Sequence, residues 1–308
     1  PTGIALAACI LAGTSVWPAI LLGAFFVNFT TTGDLVTSLG IATGNTLEAV
    51  IGAWLVARWA RRRRAFETGA TAIRYAILTA LGATMVSATF GVTALALKGL
   101  ARWSAYRDIW FTWWLGDAAG ALILAPPLIL WVSEWRLHWS RRRWIEATAL
   151  ALSLVAVSFF SFGGLTQDVT GGHSLGFLVV PILIWAAVRF EPRIAATAVA
   201  IVAAIAVTEM IRSGAPRNTE LVLLQSFLTV TDVMILVLAS TVTERNGIEA
   251  QLRQLAVTDP LTGLANYRQL ITAIETEIKR SSRSERPFAL LLFDLDRLKG
   301  AGDTVRKG

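Results

Sequence analysis

The chain has 308 residues, of which 55% are hydrophobic and 16% charged, with a formal net charge of +7. That apolar share is too high, and the charge too low, for an ordinary water-soluble domain, so a membrane protein is expected. Cys9 is the single cysteine and His138 and His173 are the only histidines, which excludes an internal disulfide and zinc, haem or iron-sulfur chemistry.

A helix needs about 20 apolar residues to cross the hydrocarbon core, where its backbone must satisfy its own hydrogen bonds. Nine candidate helices follow in chain order: 3–11, 16–30, 35–60, 75–97, 110–132, 144–162, 174–190, 194–211 and 221–242. The first is too short to span and either joins the second around Pro18 or is the end of a longer helix. Pro1 stands where a Met would begin a gene product, and the last apolar segment has nothing after it to pair with. Both ends are therefore expected to be cut.

Basic residues fall in short clusters between the apolar runs, the pattern that orients helices in a bilayer, so no nucleic-acid partner is expected. Arg58, Arg61, Arg62, Arg63, Arg64 and Arg74 flank one connection, Arg136 and Arg141 to Arg143 the next but one, and Arg189 and Arg193 the next but one again. Residues 163–173 carry no Lys or Arg. Lys98, Arg102 and Arg107 run against the alternation. Continued onward, the alternation predicts that everything after Val242 is cytoplasmic.

Polar residues inside apolar runs are costly unless they face the protein interior or water. Asn45 and Glu48, three residues apart in GNTLEA, share a helix face, and Asp117 follows Trp113 and Trp114 in WWLGDAAG. These five residues form a candidate sensor pocket, or hydrogen-bond helices together beneath an interfacial aromatic belt. Glu209, Gln225 and Asp232 add polar atoms to later helices.

The stretches PTGIALAA, LGAFFVNF, GNTLEAVIGAWL, WWLGDAAGALILAPPLIL, FLVVPILIWAAVRF and LLQSFL before TERN resemble the first described class of bacterial membrane-associated sensor (MASE) domains. These domains precede cyclic di-GMP enzymes and histidine kinases. The resemblance covers Pro1 to about Arg245 and implies a multi-spanning module for an unknown sensory ligand.

From Glu244 the chain turns polar, and residues 244–257 read as a helix continuous with the last span. Ile248, Leu252 and Leu255, spaced four then three apart, begin a coiled-coil seam suited to a homodimer. Asp259 to Arg268, DPLTGLANYR, resembles the opening of the GGDEF, or diguanylate cyclase, domain, with Tyr267 in place of the first Arg of a pair. Asn266 starts a helix with Tyr267, Leu270, Ile271, Ile274 and Ile278 on one face, broken at 283–287. The apolar run 288–293 has the length of a strand covered on both faces.

Two carboxylates, Asp294 and Asp296, follow that strand two residues apart, and hard oxygen ligands at a strand end suit Mg2+. The GGDEF resemblance assigns the metal to Asp294 and the Leu295 carbonyl. It assigns the GTP phosphates to the backbone amides of Arg297 and Leu298 and the side chain of Lys299. Asp296 reads as a turn residue. After Lys299 the sequence GAGDTVRKG departs from the family, with Gly302 at the guanine-contacting Asn position, and the GG(D/E)EF loop is absent. The piece itself is thus expected to be inactive.

The expected fold is mostly α: a polytopic transmembrane bundle with a C-terminal fragment of an α/β GGDEF domain. The expected units are a sensor at 1–243, a helical linker at 244–257 and an incomplete GGDEF domain at 258–308. The expected parent is a multi-pass inner-membrane receptor controlling the condensation of two GTP to cyclic di-GMP and pyrophosphate. The rival readings are a degenerate GGDEF receptor, a relay to a downstream EAL phosphodiesterase, and a transporter.

Overall fold

A computed structural model describes residues 1–137, 139–163, 175–214, 218–257, 262, 264–291 and 293. Among them, nine α-helices lead to residue 257: α1 (Thr2–Ala12), α2 (Trp17–Thr32), α3 (Leu35–Trp59), α4 (Gly69–Leu97), α5 (Tyr106–Ser133), α6 (Arg141–Phe162), α7 (Val180–Arg189), α8 (Pro192–Arg212) and α9 (Asn218–Val257). Their limits follow local chemistry. Asp34 caps α3 by accepting from the Thr37 amide at 2.7 Å, Thr68 and Thr71 form a capping box at the start of α4, and prolines occupy the first turns of α2, α7 and α8. Gly33 closes α2 in the left-handed region at φ 67°.

Seven segments are long and apolar enough to cross a membrane, whereas Thr2–Ala12 and Gly176–Arg189 fall short. The run expected at 174–190 therefore becomes a shorter helix, entered through a 3-10 turn at Gly176–Val179. Large side chains such as Leu22, Phe26 and Val27 stay exposed on α2, which buries no residue. That is the surface a lipid-facing helix presents.

Contacts between connections sort the helix ends into two sets. At one end Arg62 donates to the Ile10 carbonyl at 3.0 Å, Arg63 donates to the Leu11 carbonyl, and Arg143 pairs with Glu191 at 3.3 Å. Arg193, 7% exposed, donates to the Glu134 and Arg136 carbonyls there. At the other end Lys98 lies 3.6 Å from Asp34, and Thr112 bonds to Asn218 at 3.2 Å. The alternation of basic and poorer connections thus has a structural counterpart. Of the three residues that run against the charge pattern, Lys98 is matched locally by Asp34.

Two apolar cores fill the bundle. One joins α1, α3, α4 and α5, with Ala196 of α8 and Leu236 of α9; the other joins α5 to α6, α7, α8 and α9. Small residues bring the helices close, as membrane packing requires. A Cβ built on Gly40 would stand 2.8 Å from the Ala94 Cβ, and one on Gly44 2.7 Å from the Phe90 Cβ, so this GxxxG pair seats α4 on α3. The tightest crossing is α1 on α5, where a Cβ on Gly3 would sit 2.1 Å from the Gly120 carbonyl oxygen.

Residues from Gly247 onward belong to a second unit. Ile248 and Leu252 are 50% and 60% exposed on α9. Helix α10 (Tyr267–Ser284) is capped by Asn266, which accepts from the Gln269 amide at 3.0 Å, and it stops at Glu285 with φ 54°. Its apolar residues Leu270, Ile271 and Ile278 are exposed. No strand occurs among the described residues, and Phe288–Leu291 are irregular, because an apolar run becomes a strand only when a neighbour supplies a hydrogen-bonding edge. Leu255 has no described side chain, and Asp294, Leu295, Asp296, Arg297, Leu298 and Lys299 lie outside the described residues.

Gly3→Ala forces a side chain onto backbone and should destabilise the bundle by about 1–3 kcal/mol, read as a lower thermal midpoint in detergent; an unchanged midpoint would refute the close crossing. A second measurement concerns the α3 cap. Contacts with Thr37, reinforced by Lys98, hold the Asp34 carboxyl below its ordinary value. A depressed carboxylate stabilises the fold above its unfolded pKa, near 3.9, and loses that contribution as pH falls through the lower folded value. Asp34→Asn keeps a cap acceptor without the charge, so it should remove this part of the acid-induced fall in midpoint. The same fall in midpoint for both proteins, as pH is lowered from neutrality to well below the folded value, would contradict it.

Candidate functional site

The polar residues of α3 and α5 meet where α1 crosses them. Thr2 stands at the first turn of α1, and its hydroxyl lies 2.7 Å from Asp117 Oδ1 and 3.5 Å from Glu48 Oε2. The close contact of Gly3 with Gly120, three residues beyond Asp117, is what lets α1 bring a hydroxyl to this depth. Asn45, one turn before Glu48, accepts from the Ser87 hydroxyl of α4 at 2.8 Å. Ser87 also interacts with both carboxyl groups, and Trp113 with Asp117. Four helices thus contribute to one cluster.

The two sequence clusters are therefore brought together, through Thr2 and Ser87. Trp113 lies against α4, with its ring 2.7 Å from where a Gly91 Cβ would be. Trp114 donates its indole N–H to the Ala80 carbonyl at 2.6 Å, so its role is to tie α5 to α4. Thr2 and Ser87 carried no sequence signal, since single hydroxyls are common in membrane helices and ordinarily bond to their own backbone.

The electrostatics of the cluster are unbalanced. Glu48 is 2% exposed, and Glu48 Oε1 and Asp117 Oδ2 have no hydrogen-bond partner among the described residues. No described Lys, Arg or His side chain forms an ion pair with either group. The hydroxyls of Thr2 and Ser87 and the Trp113 indole are shared among two carboxyl groups and Asn45, and a hydrogen bond to a charged group returns only about 1.5–3 kcal/mol. Burying an ion costs several kcal/mol each. The cluster is therefore a poor way to hold helices together, and its free oxygens favour a donor or a positive charge.

Beside it, α1, α2 and α3 line an open-sided cavity of about 560 Å³ whose walls include Ala5, Ile20, Gly23 and Asn28. Thr2 and Asn45 belong both to the cavity wall and to the acidic cluster, so an occupant would meet an apolar body and a polar end. That combination is usual for small-molecule sites. Of the later polar residues, Glu209 pairs with Arg212 at 2.8 Å on the surface, and Gln225 lies against Gly116. Asp232 is 1% exposed, and neither of its carboxyl oxygens has a hydrogen-bond partner among the described residues.

Comparison with known proteins divides the chain where its chemistry changes. The MASE1 family profile matches residues 1–246, and the profile described as diguanylate cyclase, GGDEF domain, matches residues 256–305. An uncharacterized protein from the hutH 5′ region of Streptomyces griseus is 36% identical over 72 residues, which is 23% of this chain and 30% of that relative. The match therefore spans less than a third of the relative's length. No solved structure matches. The helical membrane bundle, its internal polar cluster and the extent of the first match lead to one conclusion: the chain belongs to the MASE1 family of membrane sensor domains, and a GGDEF segment follows the sensor.

Proposed function

We propose that the complete protein is a sensor diguanylate cyclase of the bacterial inner membrane, with its GGDEF domain in the cytoplasm. The observation that carries this reading is continuity: the MASE1 match ends at 246, the GGDEF match begins at 256, and one unbroken helix, α9, runs from Asn218 to Val257 across the join. A stiff helix transmits a displacement from membrane to output domain where a flexible linker would absorb it. The exposed Ile248 and Leu252 support a homodimer through the stalk. The basic connections on the side to which α9 descends support a cytoplasmic output.

In the active dimer each GGDEF domain holds one GTP, and the 3′-hydroxyl of one nucleotide attacks the α-phosphate of the other, releasing pyrophosphate. Asp294 and the Leu295 carbonyl are the candidate ligands for Mg2+, which would neutralise phosphate charge; the Arg297 and Leu298 amides and the Lys299 side chain would orient the phosphates. Two half-sites must face each other. A misplacement of about 1 Å costs roughly a hundredfold in rate, so dimer geometry is an effective point of control.

The cluster of Asn45, Glu48, Trp113 and Asp117 is proposed as the sensory site, taking a stimulus that carries hydrogen-bond donors or positive charge. Trp114 supports it from the α4 interface.

Two experiments test this reading in the full-length protein. Asp294→Asn should lower cyclic di-GMP formation from GTP and Mg2+ by about a hundredfold or more, and near-normal turnover would reject the metal assignment. Glu48→Gln combined with Asp117→Asn should shift cellular cyclic di-GMP by about fivefold or more at unchanged membrane abundance. Unaltered output at that abundance would return both residues to a structural role.

A further inference from the structure

Helix α4 touches both the acidic cluster and the output helix. Its first residue, Gly69, donates its backbone N–H to Glu244 Oε2 at 3.2 Å, and Glu244 lies where α9 leaves the membrane unit. A Cβ on Gly69 would stand 2.2 Å from Thr241 Oγ1, which is itself fixed by a 2.8 Å bond to the Val237 carbonyl. A side chain at residue 69 would collide with that hydroxyl unless Thr241 left its bond to Val237, whereas the Thr241 Cβ, at 3.5 Å, is in ordinary contact. The carboxylate also faces the positive end of the α4 dipole, where a negative group is favoured.

The same helix then passes the Tyr75 hydroxyl, bonded to the Ala121 carbonyl at 2.8 Å, and reaches Ser87 at the cluster. Between them, Leu78–Ala83 form a π-helical stretch. The Ala80 carbonyl in this stretch accepts from Trp114 of α5 and from Thr84. A π turn holds one residue more than an α turn, so converting it to α turns would rotate the part on one side by about 100° and advance it by about 1.5 Å. Ser87 and Gly69 lie on opposite sides of it.

We propose that α4 is the coupling element of the sensor and that Gly69, Thr241 and Glu244 form the joint through which it positions the α9 stalk. The inference rests on reading the Glu48 and Asp117 cluster as the sensory site and the GGDEF segment as the output. A change at Ser87 biases the π-helical stretch, and the start of α4 carries Glu244, and with it the stalk, into a different placement. Glu244 and Gly69 are positioning residues: they act on the reaction through the stalk.

The test uses full-length protein in lipid nanodiscs, with Gly69→Ala, Gly69→Ala with Thr241→Ala, Glu244→Ala and Glu244→Gln. Cyclic di-GMP formation is followed against GTP concentration, and hydrogen exchange is followed in the peptides holding Gly69 and the stalk. Gly69→Ala and Glu244→Ala should change kcat by about fivefold or more with KM for GTP unchanged. Adding Thr241→Ala removes the clashing hydroxyl and should return Gly69→Ala to the parental kcat, and Glu244→Gln, which keeps an acceptor, should stay near the parent. The proposal is overturned if exchange at Gly69 rises in Glu244→Ala while kcat stays parental, or if Thr241→Ala brings no rescue. Should the parent form no cyclic di-GMP, the cyclase reading fails instead; the joint then stands or falls on whether Gly69→Ala and Glu244→Ala alter exchange in the stalk.

Discussion

The close crossing of α1 over α5, backbone against backbone at Gly3 and Gly120, is the contact on which the sensor's interior depends. It is short-range and made of backbone, so it tolerates little adjustment. Its consequence is chemical as much as steric, because it sets the Thr2 hydroxyl between Asp117 and Glu48 in a place where hydrocarbon surrounds the bundle. A helix too short to span a bilayer thereby supplies the polar group that joins two that do.

The arrangement is not the most stable one available. Apolar residues of similar size at Glu48 and Asp117 would remove a desolvation cost that a few shared donors do not offset, and replacement of buried ionic groups by well-packed apolar ones is often stabilising. Elsewhere the bundle follows the simpler pattern: alanine, glycine and threonine at helix contacts, with most threonine hydroxyls bonded to their own helix. The departure from that pattern coincides with a cavity wall and with a hydroxyl of α4 that reaches across to α3.

Helix α4 has a further property that the others lack among the described residues, a π-helical stretch at mid-length held by the Trp114 indole. Its two ends are fastened to different things: one to the cluster by Ser87, the other to the departing helix by Gly69 and Glu244. A rigid element with one such interruption and two anchored ends has the form of a two-state mechanical part, in which contact networks at both ends bias the same equilibrium.

Sequence by itself determined the architecture. Apolar run lengths located nine helices, the alternation of arginine-rich connections anticipated which ends lie together, and Asn266 marked the start of α10, because hydropathy, charge and capping are local properties. The carboxylates of the cluster were legible for the same reason: a charged side chain in an apolar run is conspicuous wherever it points. Tertiary structure alone decided that Glu48 and Asp117 are neighbours, that Thr2 and Ser87 complete their surroundings, that Trp114 braces α4, and that Glu244 reaches the start of a helix far behind it in the chain. Those contacts follow from which small residues let two backbones approach, and a glycine that permits a crossing is indistinguishable in sequence from one that merely occupies a helix.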